Sequence, residues 1–148
     1  LDAWLVIRGI KTLPLRMEQH QKNAFAIAKW LQEQPRVQYV LYPGLENHPG
    51  YEINKAQTTG FGGMISFAVD IAETARQILE GVKLIKFAES LGGTESLITY
   101  PIRQTHTDLT AEECAEKGIT DCLLRFSTGI EATQDLIDDL AQAFAAIE

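Results

Sequence analysis

Arg125 sits in the run Cys122-Leu123-Leu124-Arg125-Phe126-Ser127, where Cys122, Leu124 and Phe126 alternate with Leu123, Arg125 and Ser127. On a strand this alternation sends the apolar set to one face and Arg125 with Ser127 to the other, so the guanidinium stands on a rigid element, turned away from the apolar layer. A charge held beside Leu124 and Phe126 needs a partner. Other residues capable of chemistry fall into weaker patterns. Gly60-Phe61-Gly62-Gly63 leads into a strand and lacks both a third glycine and the helix whose N-terminus would hold a phosphate, so it reads as a tight turn. His20, His48 and His106 lack metal-ligand spacing, and Cys114 and Cys122 do not form a CxxC pair, so no metal is expected. The absence of a GxSxG elbow leaves nucleophilic serine chemistry unsupported.

The elements that must position Arg125 are legible in the spacing. Residues 2–34 read as two helical stretches broken near Pro14, with Ala24, Ile27, Ala28 and Leu31 on one face. Residues 37–42 and 64–69 read as strands, and 43–60 as a loop with about one helical turn. Asp70 and Glu73 have capping-box spacing ahead of a helix carrying Ile71, Ala75, Ile78, Leu79 and Val82. Residues 86–90 are short and extended before the Gly92-Gly93 turn, and 97–100 form a further short strand. Thr110 and Glu113 repeat the capping-box spacing for a short helix ending at Gly118, residues 122–127 are the next strand, and Thr133 caps a final helix with Leu136, Ile137, Leu140, Phe144 and Ile147 on one face. Short turns and strands with one polar face suit a two-layer α+β domain, its antiparallel or mixed sheet covered by helices on one side.

Composition sets the outer bounds. A chain of 148 residues, 45% hydrophobic and 22% charged, is ordinary globular sequence of one domain's length and needs no disulfide or metal to fold. Its net charge of -7, with no basic run, argues against nucleic acid as a partner. Apolar stretches fall short of the roughly 18 residues of a membrane span. Two free thiols fit a reducing, cytoplasmic setting.

Three segments then stand out: Phe87-Ala88-Glu89-Ser90-Leu91-Gly92-Gly93-Thr94-Glu95-Ser96-Leu97, Gln104-Thr105-His106, and Leu124-Arg125-Phe126-Ser127-Thr128-Gly129-Ile130-Glu131. With Leu5-Val6-Ile7-Arg8-Gly9-Ile10-Lys11-Thr12-Leu13, Leu15-Arg16-Met17-Glu18-Gln19-His20, Tyr42-Pro43-Gly44-Leu45, His48-Pro49 and Gly60-Phe61-Gly62-Gly63-Met64, they resemble the C-terminal part of the trans-sulfuration family of pyridoxal-phosphate (PLP) enzymes. That family includes cystathionine γ-synthase, cystathionine γ-lyase, cystathionine β-lyase and methionine γ-lyase. Several motifs in the right order over nearly the whole chain make the resemblance specific. It implies that residues 1–148 form the small C-terminal domain of a fold-type I PLP enzyme.

The resemblance also implies roles. Arg125 would clamp the substrate α-carboxylate, a task suited to a planar fork that donates two parallel hydrogen bonds. Ser90 would line the substrate side of the same pocket, and Thr105 would sit near the carboxylate and the substrate side chain. Glu89 matches the glutamate that γ-synthases and γ-lyases place before the serine; its carboxylate would hold the distal ammonium of cystathionine or bias chemistry towards the γ carbon. Gln104 departs from the methionine common before the Thr-His pair, and Thr128 from a common valine.

In the family, the lysine that carries the cofactor lies in a Ser-x-[ST]-Lys segment of the large domain. Lys11, Lys22, Lys29, Lys55, Lys83, Lys86 and Lys117 lack that context. The resemblance therefore implies that PLP binds in the full-length enzyme and not to this chain, that no catalytic residue lies within it, and that orientation and substrate choice are its contribution. Cystathionine or an activated homoserine is the expected substrate, the absent large domain an expected partner, and a homo-oligomer the expected full-length assembly. Alternatives are a cystathionine β-lyase or methionine γ-lyase and, in a different class, a freestanding module in which Arg125 and Ser90 recognise a carboxylate.

Overall fold

A computed structural model describes residues 1–147. Its elements are α1 (Asp2–Ile10), α2 (Leu13–Gln32), β1 (Val37–Leu41), α3 (Tyr51–Gln57), β2 (Met64–Val69), α4 (Ala72–Gly81), β3 (Lys86–Phe87), β4 (Leu97–Thr99), a 3-10 turn (Pro101–Arg103), α5 (Ala111–Glu116), β5 (Leu123–Ser127) and α6 (Thr133–Ala145). Pro14 separates the first two helices as expected. It lies in the first turn of α2, where its missing N–H costs no helical hydrogen bond.

The apolar spacing of three helices decides the layering. On α2 the buried residues are His20, Asn23, Ala24, Ile27, Ala28 and Leu31; on α4 they are Thr74, Ala75, Ile78 and Leu79; on α6 they are Leu136, Asp139, Leu140 and Ala143. Each set is a single stripe: α6 packs against both α2 and α4, α2 packs against β1 and β2 and α4 against β2, and the three stripes share one core with one face of the sheet. Trp30 and Phe144 meet edge to face, ring centroids 5.6 Å apart. The buried Asp139 carboxylate accepts from the backbone N–H groups of Lys83, Leu84 and Ile85 at 2.9–3.1 Å and so fixes the approach to β3.

The sheet has five strands in the order β1-β2-β5-β4-β3. Neighbours are antiparallel except β3 and β4, which run parallel, so the sheet is mixed. β5 lies at its centre. Ile65 pairs with Phe126, and Ser66 with Arg125, which in turn lies opposite Thr99 of β4. Leu124 and Phe126 are fully buried against the helices, as their alternation predicts.

Three local expectations need correction. Asp70 does not cap α4: Ile71 is the N-cap residue, and no side chain closes that end. The Asp70 carboxylate is drawn instead to Arg36, 3.3 Å away, and its hydrogen bond with Thr74, ahead of Arg36, holds its pKa below the usual carboxylate range. Glu73 pairs with Arg76 rather than reaching back. Thr133 is likewise the first residue of α6 and not its cap, which is Ala132; its hydroxyl donates to Asn23 Oδ1 at 2.6 Å. The third concerns residues 43–60, which hold α3, a full seven residues, introduced by Gly50 without any side-chain cap. Thr110 and Glu113, by contrast, form the complete capping box, and α5 closes before Gly118 with Ile119 N–H bonded to Cys114 and Gly118 N–H to Ala115.

Candidate functional site

Arg125 stands in the middle of the central strand on the sheet face opposite the helices, between Ser66 and Thr99. It is half-buried, its Nε is closed off from solvent without a hydrogen-bond partner, and it takes part in neither ion pair of the described residues. A guanidinium removed from water gains stability only from an anion or good acceptors, and a carboxylate placed on this face would supply them.

Residues 88–92 are tied down on either side of it. Thr99, directly across from Arg125, donates its hydroxyl to the Ala88 carbonyl at 3.0 Å. Ser127, two residues along β5 on the same face, accepts from Gly92 N–H at 3.0 Å. Gly92 has φ +75, the left-handed backbone that brings the chain down onto Ser127 and that side chains with a Cβ resist. Glu89, Ser90 and Leu91 therefore bridge two anchors that flank Arg125. All three are exposed, and Glu89 and Ser90 use no described hydrogen bond to support the core.

Thr105 lies in the turn after Pro101–Arg103, where its hydroxyl is 2.8 Å from His106 Nδ1. Gln104 folds back to accept from Tyr100 N–H at 2.7 Å. That bond links the Thr105 segment to the end of β4, one residue beyond Thr99, but Thr105 makes no described contact with Glu89, Ser90 or Arg125.

Four residues without an assigned role in the sequence hold this region together. Asn23, fully buried on α2, donates to the carbonyls of Gly129 and Glu131, both at 3.0 Å, and accepts from Gln19 and Thr133. Glu131 and Ser96 bond to each other across the end of β4, and Thr128 donates to the carbonyls of His20 and Gly63, both at 3.0 Å. The available signal was the place of Thr128 and Glu131 in the run that follows Arg125 and of Ser96 in the 87–97 segment; Asn23 stood in neither. His20 Nδ1 lies 2.6 Å from the Thr128 carbonyl, and its buried Nε2 has no partner.

A lysine would have to bear PLP. All seven lysines are exposed, and Lys86, nearest in the sheet order, donates its ammonium to the Lys83 carbonyl. Cavities of about 590 and 390 Å³ lie elsewhere, the first between Phe25, Leu45, Tyr51 and Phe61, the second between Met17, Gln21 and Gly60. Among the described residues no cluster of three or more His, Cys, Asp or Glu side chains could hold a metal ion, and no helix is long and apolar enough to cross a membrane. What the open face offers is one cation between polar neighbours, suited to a carboxylate.

A profile of the family described as Cys/Met metabolism PLP-dependent enzymes matches residues 1–145. The chain belongs to that family. It is 52% identical to the cystathionine gamma-lyase of Dictyostelium discoideum over 96% of its own length and 37% of that protein. It is 51% identical to the cystathionine gamma-synthase of Haemophilus influenzae over 99% of its length and 36% of that protein. The crystal structure of cystathionine gamma-lyase from Lactobacillus plantarum complexed with L-serine superposes with a TM-score of 0.93 at 42% identity, covering 97% of this chain and 38% of that one. This member of the Cys/Met metabolism family thus spans little more than a third of the length of its relatives. The near-equal identities to a lyase and a synthase leave the reaction type to the site residues.

Proposed function

We propose that this chain is the substrate-carboxylate-binding, C-terminal domain of a PLP-dependent enzyme of the cystathionine γ-synthase/γ-lyase type. The observation that carries the reading is Arg125: a half-buried guanidinium without an acceptor, at the centre of an otherwise well-satisfied sheet. Its fork takes the α-carboxylate of an amino-acid substrate in two parallel hydrogen bonds, which orients the Cα bonds. Glu89, on the bridging segment beside it, faces the distal end of the substrate and holds the second ammonium of cystathionine; an activated homoserine is the other substrate of this class. Ser90 lines the wall between them, and Thr105 closes the side nearest the end of β4.

PLP supplies the electron sink for the carbanion, and it is held by the rest of the full-length protein, since no lysine of this chain is placed to bear it. The apolar residues of α1, among them Trp4, Leu5, Val6, Ile7 and Ile10, are all more than half exposed, and no residue of that helix is buried. Exposed apolar side chains concentrated on one helix require cover, which supports a larger domain, and a homo-oligomer built on it, as its setting. The isolated chain is accordingly inactive.

The test is a comparison of full-length wild type and Arg125→Lys with an amino-acid substrate and its carboxamide analogue. Wild type prefers the acid strongly, and the variant, which keeps the charge but not the fork, loses most of that preference. Equal discrimination in both proteins would show that the carboxylate is held elsewhere.

A further inference from the structure

Building on that reading of Arg125, Glu89 and Ser90, we infer that Glu131 is a positioning residue: its carboxylate fixes the segment carrying Glu89 and Ser90 at the height and register at which those side chains meet a substrate held by Arg125. Glu131 Oε1 accepts from Ser96 N–H at 2.7 Å, and Oε2 accepts from the Ser96 hydroxyl at 2.9 Å. The same hydroxyl accepts from Gly129 N–H at 2.8 Å, and Ile130 N–H donates to the Thr94 carbonyl at 2.9 Å. Four hydrogen bonds thus lock the descending limb of the 88–96 segment to the turn that follows β5.

The approach is too close for any side chain at position 129. A Cβ there would lie 2.4 Å from the Thr94 carbonyl oxygen and 2.6 Å from the Glu95 carbonyl carbon, both backbone. The turn is itself immobilised from the helical layer by the two Asn23 bonds to Gly129 and Glu131. Rigidity therefore passes from α2 through Asn23 to Glu131, from Glu131 through Ser96 to the loop, and from Gly92 back to Ser127 on the strand that carries Arg125. The exposed stretch from Glu89 to Leu91 has no core contact of its own to set its position. Its geometry is inherited from these anchors, and Glu131 supplies two of the bonds.

A role confined to folding would make Glu131 matter for stability alone; a positioning role makes it matter for substrate. The test uses the full-length holoenzyme with Glu131→Ala, Glu131→Gln and Ser96→Ala, read by steady-state kinetics on cystathionine and by amide hydrogen exchange. Glutamine keeps the acceptor for Ser96 N–H and can donate to the Ser96 hydroxyl, so it serves as the conservative rescue. The expected result for Glu131→Ala is a KM raised at least fivefold, with amides in 89–94 exchanging at least tenfold faster while those of β2 keep wild-type protection. Glu131→Gln should lie within about twofold of wild type, and Ser96→Ala should follow Glu131→Ala. An unchanged KM in Glu131→Ala overturns the inference, as does faster exchange spread evenly over the sheet. If Glu131→Ala does not fold, Ser96→Ala decides by the same two readouts. Arg125→Lys measured alongside separates the two readings: unaltered carboxylate preference there overturns the substrate clamp, whereas a lost preference together with an unmoved 89–94 segment in Glu131→Ala overturns only the role of Glu131.

Discussion

The two faces of the central strand differ in what they leave unfinished. On the helical side, Leu124 and Phe126 are fully buried among Ile27, Leu31, Ile65 and Leu136, and Asn23 and Asp139 have their hydrogen bonds supplied within the chain, His20 Nε2 being the one buried polar side-chain atom of α2 that lacks a partner among the described residues. On the open side, Arg125 keeps a guanidinium without an acceptor, and the neighbouring loop leaves Glu89 and Ser90 pointing at no part of the core. Stability is concentrated on one face. Recognition, in the function proposed here, is left to the other, because a partner from outside can complete only a group that the fold does not satisfy.

The most severe way to break that division is Phe126→Ala, which empties a fully buried site on the helical face. It should lower unfolding free energy by about 3–5 kcal/mol, measured by denaturant titration, because the surrounding side chains collapse only in part around the missing ring. A loss below about 1 kcal/mol would show that the helices do not seal this face.

Arg125→Lys, one residue away, should do the reverse. In the full-length enzyme catalytic efficiency should fall roughly tenfold or more while the denaturation midpoint stays near that of wild type, since the ammonium retains charge but not two parallel donors. A fall in kcat alongside the rise in KM would show that the clamp also orients the scissile bond.

Tyr42 tests the helical side through pH. Its hydroxyl donates to the Gly62 carbonyl at 3.0 Å, and burial pushes its pKa up to about 12. The unfolded phenol ionises near 10, so the tyrosine's contribution is whole below about pH 10 and is lost as pH rises through 10 to 12. Tyr42→Phe should flatten that alkaline loss by about 1–2 kcal/mol, read from midpoints between pH 9 and 12.

The smallest effect on stability belongs to Glu89. Glu89→Ala should leave the unfolding free energy within about 0.5 kcal/mol of wild type, as befits an exposed side chain. It should nonetheless shift the preference between cystathionine and substrates with an uncharged tail. An unchanged ratio would leave Glu89 as a solvated acid.

Some of this was legible because it depends on neighbours along the chain. Alternation in residues 122–127 placed Leu124 and Phe126 inward and Arg125 outward, since side chains on a strand must alternate. The Thr110–Glu113 capping box formed as spaced, because both partners belong to one turn and nothing else competes for them. Asp70 and Glu73 carry the same spacing and form no box: Arg36, at the end of a different segment, takes the Asp70 carboxylate, and Arg76 takes Glu73. Local pattern proposes a hydrogen bond, but other partners, here Thr74 and Arg36 for Asp70 and Arg76 for Glu73, can outcompete it.

By itself the sequence determined the family, the α+β class, the helix and strand positions other than α3 to within a few residues, and the outward face of Arg125, because each rests on residue order or on short-range periodicity. Only the tertiary structure decided that β5 is central, that β3 joins β4 in parallel, and that Asn23, Glu131, Ser96 and Ser127 tie α2, the 88–96 segment and the strand of Arg125 into one network. The bonds from Asn23 to Gly129 and Glu131 join positions 106 and 108 apart, and those of Ser96 and Ser127 join positions 33 or 35 apart. No periodicity spans such separations; they close only when burial of the helical stripes has already brought the segments together.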